Sequence, residues 1–419
     1  MSRAGTGIIF LTVFLDLVGF GIVLPLLPIY SQNFGASGWL IGVIMASYSL
    51  MQFIFAPLWG RLSDRIGRRP VLLGSTACAV VSYTVFGLAS EMKGDLALWL
   101  LLGSRVIAGV CGANITVAQA YIADITTPAE RSRKMGLIGM AFGLGFIFGP
   151  ALGALSIRLF GHAGPGWAAA ALCAANFLFA LTRLPESRRP GAEQITQRPR
   201  LAQWAHTLQH PQIGLLVLVF FLATFCFTCY ETTLGLLVGR NFNLDPGRAH
   251  DAVVVGLLFA YGGLIGALVQ GGMIGRLVKR YGEARVIAGS MLIVGGSLFP
   301  LPFIKGDQML TWSLLLNPQG RDWWFLLAAI GALSIGAGLT RPPLFGLISM
   351  LTPGDEQGAT LGVAQSAGAL ARILGPIFAG ACYQYHAALP YLIGAAISII
   401  TGLAAWGLLA RHHPKPAEP

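Results

Sequence analysis

The chain has 419 residues, of which 55% are hydrophobic and only 11% are charged. Soluble domains carry about 25% charged residues, so the composition excludes an ordinary soluble domain and favours a membrane protein. The formal net charge of +11 would suit a nucleic-acid-binding protein, but the basic residues follow a membrane topology and we expect no nucleic-acid partner.

Twelve apolar windows follow one another along the chain. A helix of about 20 apolar residues crosses about 30 Å of hydrocarbon, and each window is about that long. The first window is too long for a signal-peptide core and carries Asp16, so we expect it to be retained as a helix. We number the windows spans 1 to 12; they cover roughly residues 6–30, 38–60, 70–90, 96–122, 135–158, 164–183, 212–238, 252–275, 285–304, 323–349, 358–383 and 387–410.

The basic residues are unevenly distributed between the two sides of the predicted membrane. Nineteen lie on the side that holds both termini, and six lie on the opposite side. Because Lys and Arg are enriched in cytoplasmic loops, we predict that both termini are cytoplasmic. The short loops and the apparent lack of a cleavable signal peptide favour the inner (plasma) membrane of a bacterium.

The chain contains an internal repeat, in which Gly60–Gly67 aligns with Gly275–Gly282 at an offset of 215 residues. Parallel repeats of six spans predict two pseudo-symmetric six-helix bundles, residues 1–184 and 212–419, joined by a cytoplasmic linker at 185–211. This organisation is typical of a carrier that binds its substrate near the membrane midplane between the two halves. We therefore predict an all-α polytopic membrane protein.

The loop between spans 2 and 3 combines glycines with charged residues. Its sequence over residues 60–70 is Gly-Arg-Leu-Ser-Asp-Arg-Ile-Gly-Arg-Arg-Pro. The glycines allow a tight turn, and ion pairs between loop and span ends would latch the cytoplasmic rim until it opens. The alternative is that the basic residues only anchor the topology. The predicted gating residues here are Gly60, Asp64, Arg65, Arg68 and, at the end of span 4, Asp124 as the partner of Arg68.

Small residues recur along span 5, where Gly145 and Gly149 are one turn apart and Pro150 follows. Small residues at this spacing let helix backbones approach closely, and proline bends a transmembrane helix. We predict a gating role for all three residues, and tight packing alone is the alternative.

Five ionisable side chains lie within spans, each at a cost of at least about 2.5–3.5 kcal/mol near mid-span. They are Asp16, Arg105, Glu231, Arg341 and Arg372. A low-dielectric environment disfavours the charged form of a carboxyl group, so we predict that Asp16 and Glu231 exchange protons. The alternative for Asp16 is a purely structural ion pair with Arg105.

Arg341 and Arg372 fall in the second half together with Glu231. They predict a cationic pocket for an anionic group of the substrate, or else they compensate Glu231 structurally. Pro342 and Pro343 also predict a local break in span 10. With the two arginines, the predicted substrate-binding residues are Tyr48, Gln52, Asn114, Gln119, Tyr230 and Gln365, for which interhelical polar packing is the alternative.

Several of these segments resemble the major facilitator superfamily. Residues 60–70 are similar to its loop 2–3 signature, residues 136–154 to the helix 5 motif of its antiporters, and residues 103–109 to its membrane-embedded arginine motif. Residues 16–28 and 48–57 extend the resemblance to twelve-helix drug/proton antiporters, in the tetracycline-efflux-like branch. The resemblance implies proton antiport and a proton-coupling role for Arg105.

The chain departs from that branch at three places. Ser82 and the apolar surroundings of Val294 stand where tetracycline-efflux proteins carry intramembrane acids, and Gly266 replaces a histidine. Tetracycline itself is therefore not the expected substrate.

The leading functional hypothesis is secondary export of an amphipathic organic compound in exchange for protons. The alternative is a carrier for a metabolite or a lipid-like organic anion, with or without proton coupling, and a non-transporting sensor is the least favoured. The sequence contains no phosphate loop and no metal-ligand spacing, so we expect neither an enzyme nor a cofactor. The expected partners are the lipid bilayer, a small-molecule substrate and protons, and we expect a monomer.

Overall fold

The computed structural model describes residues 2–112, 114–126, 128–187, 200–244, 249–306, 321–352 and 356–409. These residues form α-helices, one 3₁₀ turn at Leu301–Phe303 and no strand. The helices, numbered α1 to α16 in chain order, are Ser2–Val23, Leu27–Asn33, Gly38–Ile66, Arg68–Glu91, Asp95–Val110, Asn114–Ile125, Pro128–Phe160, Gly164–Arg183, Arg200–Gln209, Pro211–Asn241, Ala249–Gly272, Ile274–Tyr281, Glu283–Leu298, Arg321–Leu351, Gln357–Tyr385 and Leu389–Leu409.

Twelve stretches of these helices are long and apolar enough to cross a membrane, which confirms the predicted number. Span 1 is divided into α1 and α2 by a turn at residues 24–26, where Pro25 lacks a backbone donor. Span 4 is likewise divided into α5 and α6 next to Gly112.

The predicted break at Pro342 and Pro343 is wrong, because α14 continues through both residues as one helix of 31 residues. The backbone torsion of proline fits a helix, and transmembrane helices tolerate the lost hydrogen bonds.

The repeat is visible in the backbone at two equivalent turns. Gly67 joins α3 to α4 with φ 106° and ψ 160°, and Gly282 joins α12 to α13 with φ 77° and ψ 157°. Residues with a side chain rarely adopt a positive φ, so glycine is needed at both positions. The offset between the two glycines is that of the aligned repeat.

Two compact units are present in the chain. The first comprises Met1–Gln194 and Leu234–Leu264, and its core contains Ile9, Leu72 and Tyr121 from α1, α4 and α6. The second comprises Ile195–Thr233 and Ile265–Pro419, with a core that contains Leu216 and Met291. The predicted bundle boundaries stay a prediction, and residues 188–199 of the predicted linker lie outside the described part.

Candidate functional site

Asp16 lies on α1 between Thr12, which contacts α8, and Gly19, which contacts α4 and α8. One turn before it, the Thr12 carbonyl accepts a hydrogen bond from the buried Asn176 Nδ2 at 2.9 Å. One turn after it, Gly19 lies so close to Cys173 Sγ and Tyr83 Cε2 that a Cβ would approach them to 3.2 and 3.3 Å. Asp16 itself is half-buried and within electrostatic reach of both Tyr83 and Cys173.

Arg105 on α5 is enclosed by protein, with only 2% of its surface exposed. Its guanidinium carbon lies 5.5 Å from the ring centroid of Tyr83 and 5.7 Å from that of Phe86, both distances typical of cation–π contacts. Its Nε donates to Ser104 Oγ at 3.4 Å, and its Nη2 has no hydrogen-bond partner among the described residues. A buried donor without a partner is costly. Arg105 Nη2 can therefore donate a hydrogen bond to a further acceptor.

Asp16 on α1 and Arg105 on α5 have a neighbouring residue in common. The residue they share is Tyr83 on α4, which is within electrostatic reach of both charges. Sequence reasoning missed Tyr83, although it follows Ser82, the residue aligned with an intramembrane acid of the resembling branch. The Ser82 hydroxyl donates to the Ser104 carbonyl at 2.7 Å and fastens α4 to α5 at this level.

The predicted binding residues Tyr48 and Gln52 lie together on α3. Gln52 Nε2 donates to the Tyr48 hydroxyl at 3.3 Å and to the Gly112 carbonyl at 3.2 Å, where span 4 is interrupted. The Tyr48 ring also packs against Phe20 of α1, with centroids 5.0 Å apart. Gln119 is half-buried on α6, and the side chain of Asn114 lies outside the described part.

In the second unit, Glu231 on α10 is a buried carboxyl group with 9% of its surface exposed. Its Oε1 has no hydrogen-bond partner among the described residues, and Arg372 on α15 is the basic group within electrostatic reach. The adjacent Tyr230 is also buried, and Gln365 lies half-buried two turns before Arg372. Glu231 is thus within electrostatic reach of Arg372, and the cationic pocket stays a prediction.

Arg341 on α14 is exposed and stacks over two aromatic rings, at 5.8 Å from the centroid of Phe220 and 5.7 Å from that of Phe345. It is within electrostatic reach of Arg372, so the two positive charges repel each other. The Phe220 ring in turn lies 2.6 Å from where a Cβ on Gly368 would stand. Aromatic stacking therefore holds the Arg341 guanidinium over Phe220, whose ring in turn packs against α15 at Gly368.

The predicted rim pairs are present in the first unit. Arg68 Nε contacts Asp124 Oδ2 at 3.0 Å, while Arg68 Nη1 contacts Asp64 Oδ1 at 2.5 Å and donates to Ser63 Oγ at 2.7 Å. Arg65 is exposed, and Gly60 packs loosely against α6, since an added Cβ would lie 3.9 Å from the Thr116 side chain.

Glu186 extends this network and was missed by sequence reasoning. Its two carboxylate oxygens accept hydrogen bonds from the backbone N–H groups of Arg68 at 2.9 Å and Arg69 at 3.0 Å. The neighbouring Ser187 hydroxyl donates to Asp124 Oδ2 at 3.0 Å. Glu186 is the acid that first follows α8 in the chain, and an acid in a short polar segment after a span was the only available signal.

The predicted small-residue motif of span 5 forms the contact between α1 and α7. A Cβ on Gly149 would lie 2.6 Å from Gly21 backbone atoms, and one on Gly145 would lie 2.9 Å from Leu17 Cβ. Pro150 is buried inside α7, which continues through it. Close backbone approach is therefore the physical role of these glycines in the structure.

A cavity of ≈ 470 Å³ lies between α13 and α14 and contains none of the predicted site residues. Its lining is almost wholly apolar, with Ser297 as the polar residue. We therefore place the candidate site at the intramembrane charges and not at this cavity.

Comparison with known proteins identifies relatives along nearly the whole chain. A family model described as Major Facilitator Superfamily matches residues 9–317 and 309–419. The class C tetracycline resistance protein of Escherichia coli is 33% identical over 403 residues, covering 93% of each chain. The class E protein of Escherichia coli is 36% identical over 374 residues, covering 87% of this chain and 84% of the relative.

Two solved structures are similar to the chain over almost their full length. The crystal structure of the human organic anion transporter MFSD10 (TETRAN) gives a TM-score of 0.63 at 26% identity, covering 96% of this chain and 99% of that one. The nucleoside transporter NupG gives a TM-score of 0.71 at 16% identity, covering 96% and 98%, and shows the shared fold.

Proposed function

Because the chain belongs to the major facilitator superfamily, whose members are membrane transporters and not enzymes, we propose that it exports an amphipathic organic compound in exchange for protons by alternating access. The observation that carries this proposal is the position of Asp16. A carboxyl group inside a membrane span is energetically costly, and packing alone does not require it. Asp16 is within electrostatic reach of Tyr83, the residue whose ring contacts the enclosed Arg105.

In this mechanism Asp16 binds either a proton or the positive group of a substrate, but not both at once. Protonation removes the negative charge and releases a cationic group, and loss of the proton restores the charge for the next substrate. Because the two ligands compete for one carboxyl group, inward movement of protons drives the substrate outward. Glu231 supplies a second proton-binding carboxyl group in the other unit.

The relatives support export. Several curated relatives are named tetracycline resistance proteins, and resistance by a transporter of this family is consistent with removal of the compound from the cell. The departures at Ser82 and Gly266 favour a substrate other than tetracycline. We further propose that the protein works as a monomer in the bacterial inner membrane with both termini in the cytoplasm.

The test uses full-length protein in proteoliposomes with an imposed pH gradient and a trapped fluorescent pH indicator. Ethidium, tetracycline and carboxyfluorescein are added singly as a cationic, a zwitterionic and an anionic probe. We expect substrate-triggered proton movement in the wild type and in the control Glu91→Gln, whose exposed carboxylate accepts a hydrogen bond from the Trp167 side chain at 3.2 Å. Proton movement at the wild-type rate in Asp16→Asn would refute the assignment.

A second candidate function is transport of an organic anion. It is favoured by the two guanidinium groups of Arg341 and Arg372, which lie close together with Glu231 as the carboxylate near them. Two positive charges with one negative charge leave a site that suits a carboxylate or a phosphate. The similar human structure is that of an organic anion transporter.

Uptake of carboxyfluorescein separates this candidate from the first. We expect an anion carrier to lose most carboxyfluorescein transport in Arg372→Ala and Arg341→Ala, while the exposed Arg276→Ala serves as a control for loss of a positive charge. Transport of ethidium alone, unaffected by either arginine variant, would exclude the anion carrier.

A further inference from the structure

The cavity between α13 and α14 is a groove at the end where α13 finishes and α14 begins. Nearer the Gly282 turn the two helices touch, since a Cβ on Gly336 would lie 2.8 Å from Val294 Cγ2 and the hydroxyls of Ser290 and Thr340 are hydrogen-bonded at 2.9 Å. Beyond that contact, small residues leave ≈ 470 Å³ between the helices. This volume lies in the range of about 300–1,000 Å³ that is typical of ligand sites. The lining residues are Ile293, Gly296, Ser297, Pro300, Ile304, Phe325, Ala328, Ala329 and Ala332.

The groove opens on the protein surface. Its lining residues Ile293 and Phe325 are 38% and 54% exposed, and Gly296 and Ala328 are exposed as well. Both helices belong to segments that are long and apolar enough to cross a membrane. The Ser297 hydroxyl donates to the Ile293 carbonyl at 2.5 Å, so water would find few partners in the groove. A lipid acyl chain supplies the dispersion contacts that an unfilled groove lacks.

Basic side chains stand at one end of the groove. The guanidinium carbon of Arg321 lies 5.8 Å from the ring centroid of Phe325, which lines the groove. Lys305 is exposed and follows the lining residue Ile304 directly in the chain, while Asp322, beside Arg321, is half-buried. Two basic side chains and one acidic side chain give the described residues at this end a net positive charge. Guanidinium groups bind phosphate oxygens well, and basic pockets on transmembrane proteins bind lipid headgroups.

We propose that the groove holds an acyl chain of an anionic phospholipid from the surrounding bilayer, with the lipid phosphate against Arg321. The apolar stem of an arginine at a span end lies along apolar surface while its charged group stays in the headgroup region. Arg321 and Phe325 provide both parts, the guanidinium for the phosphate and the ring for the hydrocarbon. The lipid is a bound component of the second unit and not the transported compound, so the inference goes beyond the proposed function.

The test uses the full-length protein in phosphatidylcholine nanodiscs without any transport substrate. A trace of phosphatidylglycerol with a photoreactive diazirine in its acyl chain is added, and peptide mass spectrometry locates the labelled residues after irradiation. The same measurement with a diazirine-labelled phosphatidylcholine reports the preference for an anionic headgroup. We expect the groove residues to be labelled more strongly than other exposed residues of the spans, and more by phosphatidylglycerol than by phosphatidylcholine.

Gly296→Leu places a side chain in the groove, because a Cβ there meets nothing within 4 Å. We expect labelling of the other groove residues to fall about threefold or more, since two groups cannot share one closely packed space. Gly289→Leu is the matched control and should leave the labelling unchanged. Gly289 lies two turns earlier in α13, its Cβ would also meet nothing within 4 Å, and it does not line the groove. If Gly296→Leu is not monodisperse, Ala328→Leu obstructs the same groove from α14.

Arg321→Gln tests the headgroup contact. It should lower the ratio of phosphatidylglycerol to phosphatidylcholine labelling about fivefold, the contribution of one basic residue near an anionic membrane surface. Arg240→Gln, which changes an exposed basic residue at the end of α10, should leave this ratio unchanged. Equal labelling by the two lipids in the wild type would overturn the assignment of an anionic lipid. Wild-type labelling in Gly296→Leu, or an unlabelled groove in the wild type, would overturn the lipid site, and light scattering that shows a dimer would then assign this face to a second copy of the chain.

Discussion

The carboxylate of Glu186 accepts a hydrogen bond from the backbone N–H of Arg68 at 2.9 Å, although 118 residues separate them in the chain. Its second oxygen binds the next N–H of α4. The first N–H groups of a helix have no partner within the helix, and this end attracts negative charge. Glu186 therefore caps α4 from a distant segment and ties the chain after α8 to the turn at Gly67.

Replacement of Glu186 by alanine should destabilise the first unit. Loss of a helix cap costs about 1–2 kcal/mol, so we expect the melting temperature in detergent to fall by about 2–8 °C. Glu91→Gln is the control, because that carboxylate is exposed and should matter little. A melting temperature equal to that of the wild type would show that solvent replaces the cap.

Asp124→Asn should favour the state in which the cytoplasmic rim is open. The substitution weakens the 3.0 Å contact with Arg68 Nε and removes its charge. Pulsed electron paramagnetic resonance between spin labels at cytoplasmic helix ends of the two halves should show a larger share of long distances. Asp95→Asn, at the other end of the same span, is the matched control. Unchanged distance distributions would contradict a gating role for Arg68 and Asp124, and the basic residues of this loop would then serve only to set the membrane topology.

Gly149→Ala should weaken the packing of α1 on α7. Its new Cβ would stand 2.6 Å from backbone atoms of Gly21, and backbone cannot move aside as a flexible side chain can. We expect a loss of about 1–3 kcal/mol, seen as a lower melting temperature and reduced transport. Gly143→Ala in the same helix meets nothing within 4 Å and should be neutral or slightly stabilising. Equal effects of the two substitutions would contradict this account.

Arg372→Ala should destabilise the second unit through Glu231. It leaves the buried Glu231 carboxyl group without the cation within its electrostatic reach, and an uncompensated buried polar group costs about 1–3 kcal/mol. Adding Glu231→Gln should recover part of the melting temperature, because the unpaired charge is then removed. If the double variant shows the sum of the two single effects, Glu231 and Arg372 are energetically independent.

Much of the candidate site was predictable as a set of residues but not as a set of contacts. The pair of Arg68 and Asp124 was predicted and is present at 3.0 Å, because both residues lie at span ends on the same side of the membrane. The pair of Asp16 and Arg105 stays an open alternative, and the contact of Arg105 with the Tyr83 ring was not predicted. The rotation of each helix about its own axis decides such contacts, and hydropathy does not specify it.

The amino-acid sequence by itself determined the features that depend on local properties. Twelve spans follow from the length and apolar character of each window. The glycines at positions 67 and 282 permit the two turns, because the positive φ angles there favour glycine. The family relationship follows from motifs that can be read without any coordinates.

Only the tertiary structure decided which distant groups meet. Glu186 reaches α4 from beyond α8, and Tyr83 contacts Arg105 beside the α1 face that carries Asp16. The helix at Pro342 continues where the sequence predicted a break. In each case the outcome depends on packing between helices, whose energy is a sum over contacts between residues far apart in the chain. That sum is set by close packing of shapes, which no local pattern of residues encodes.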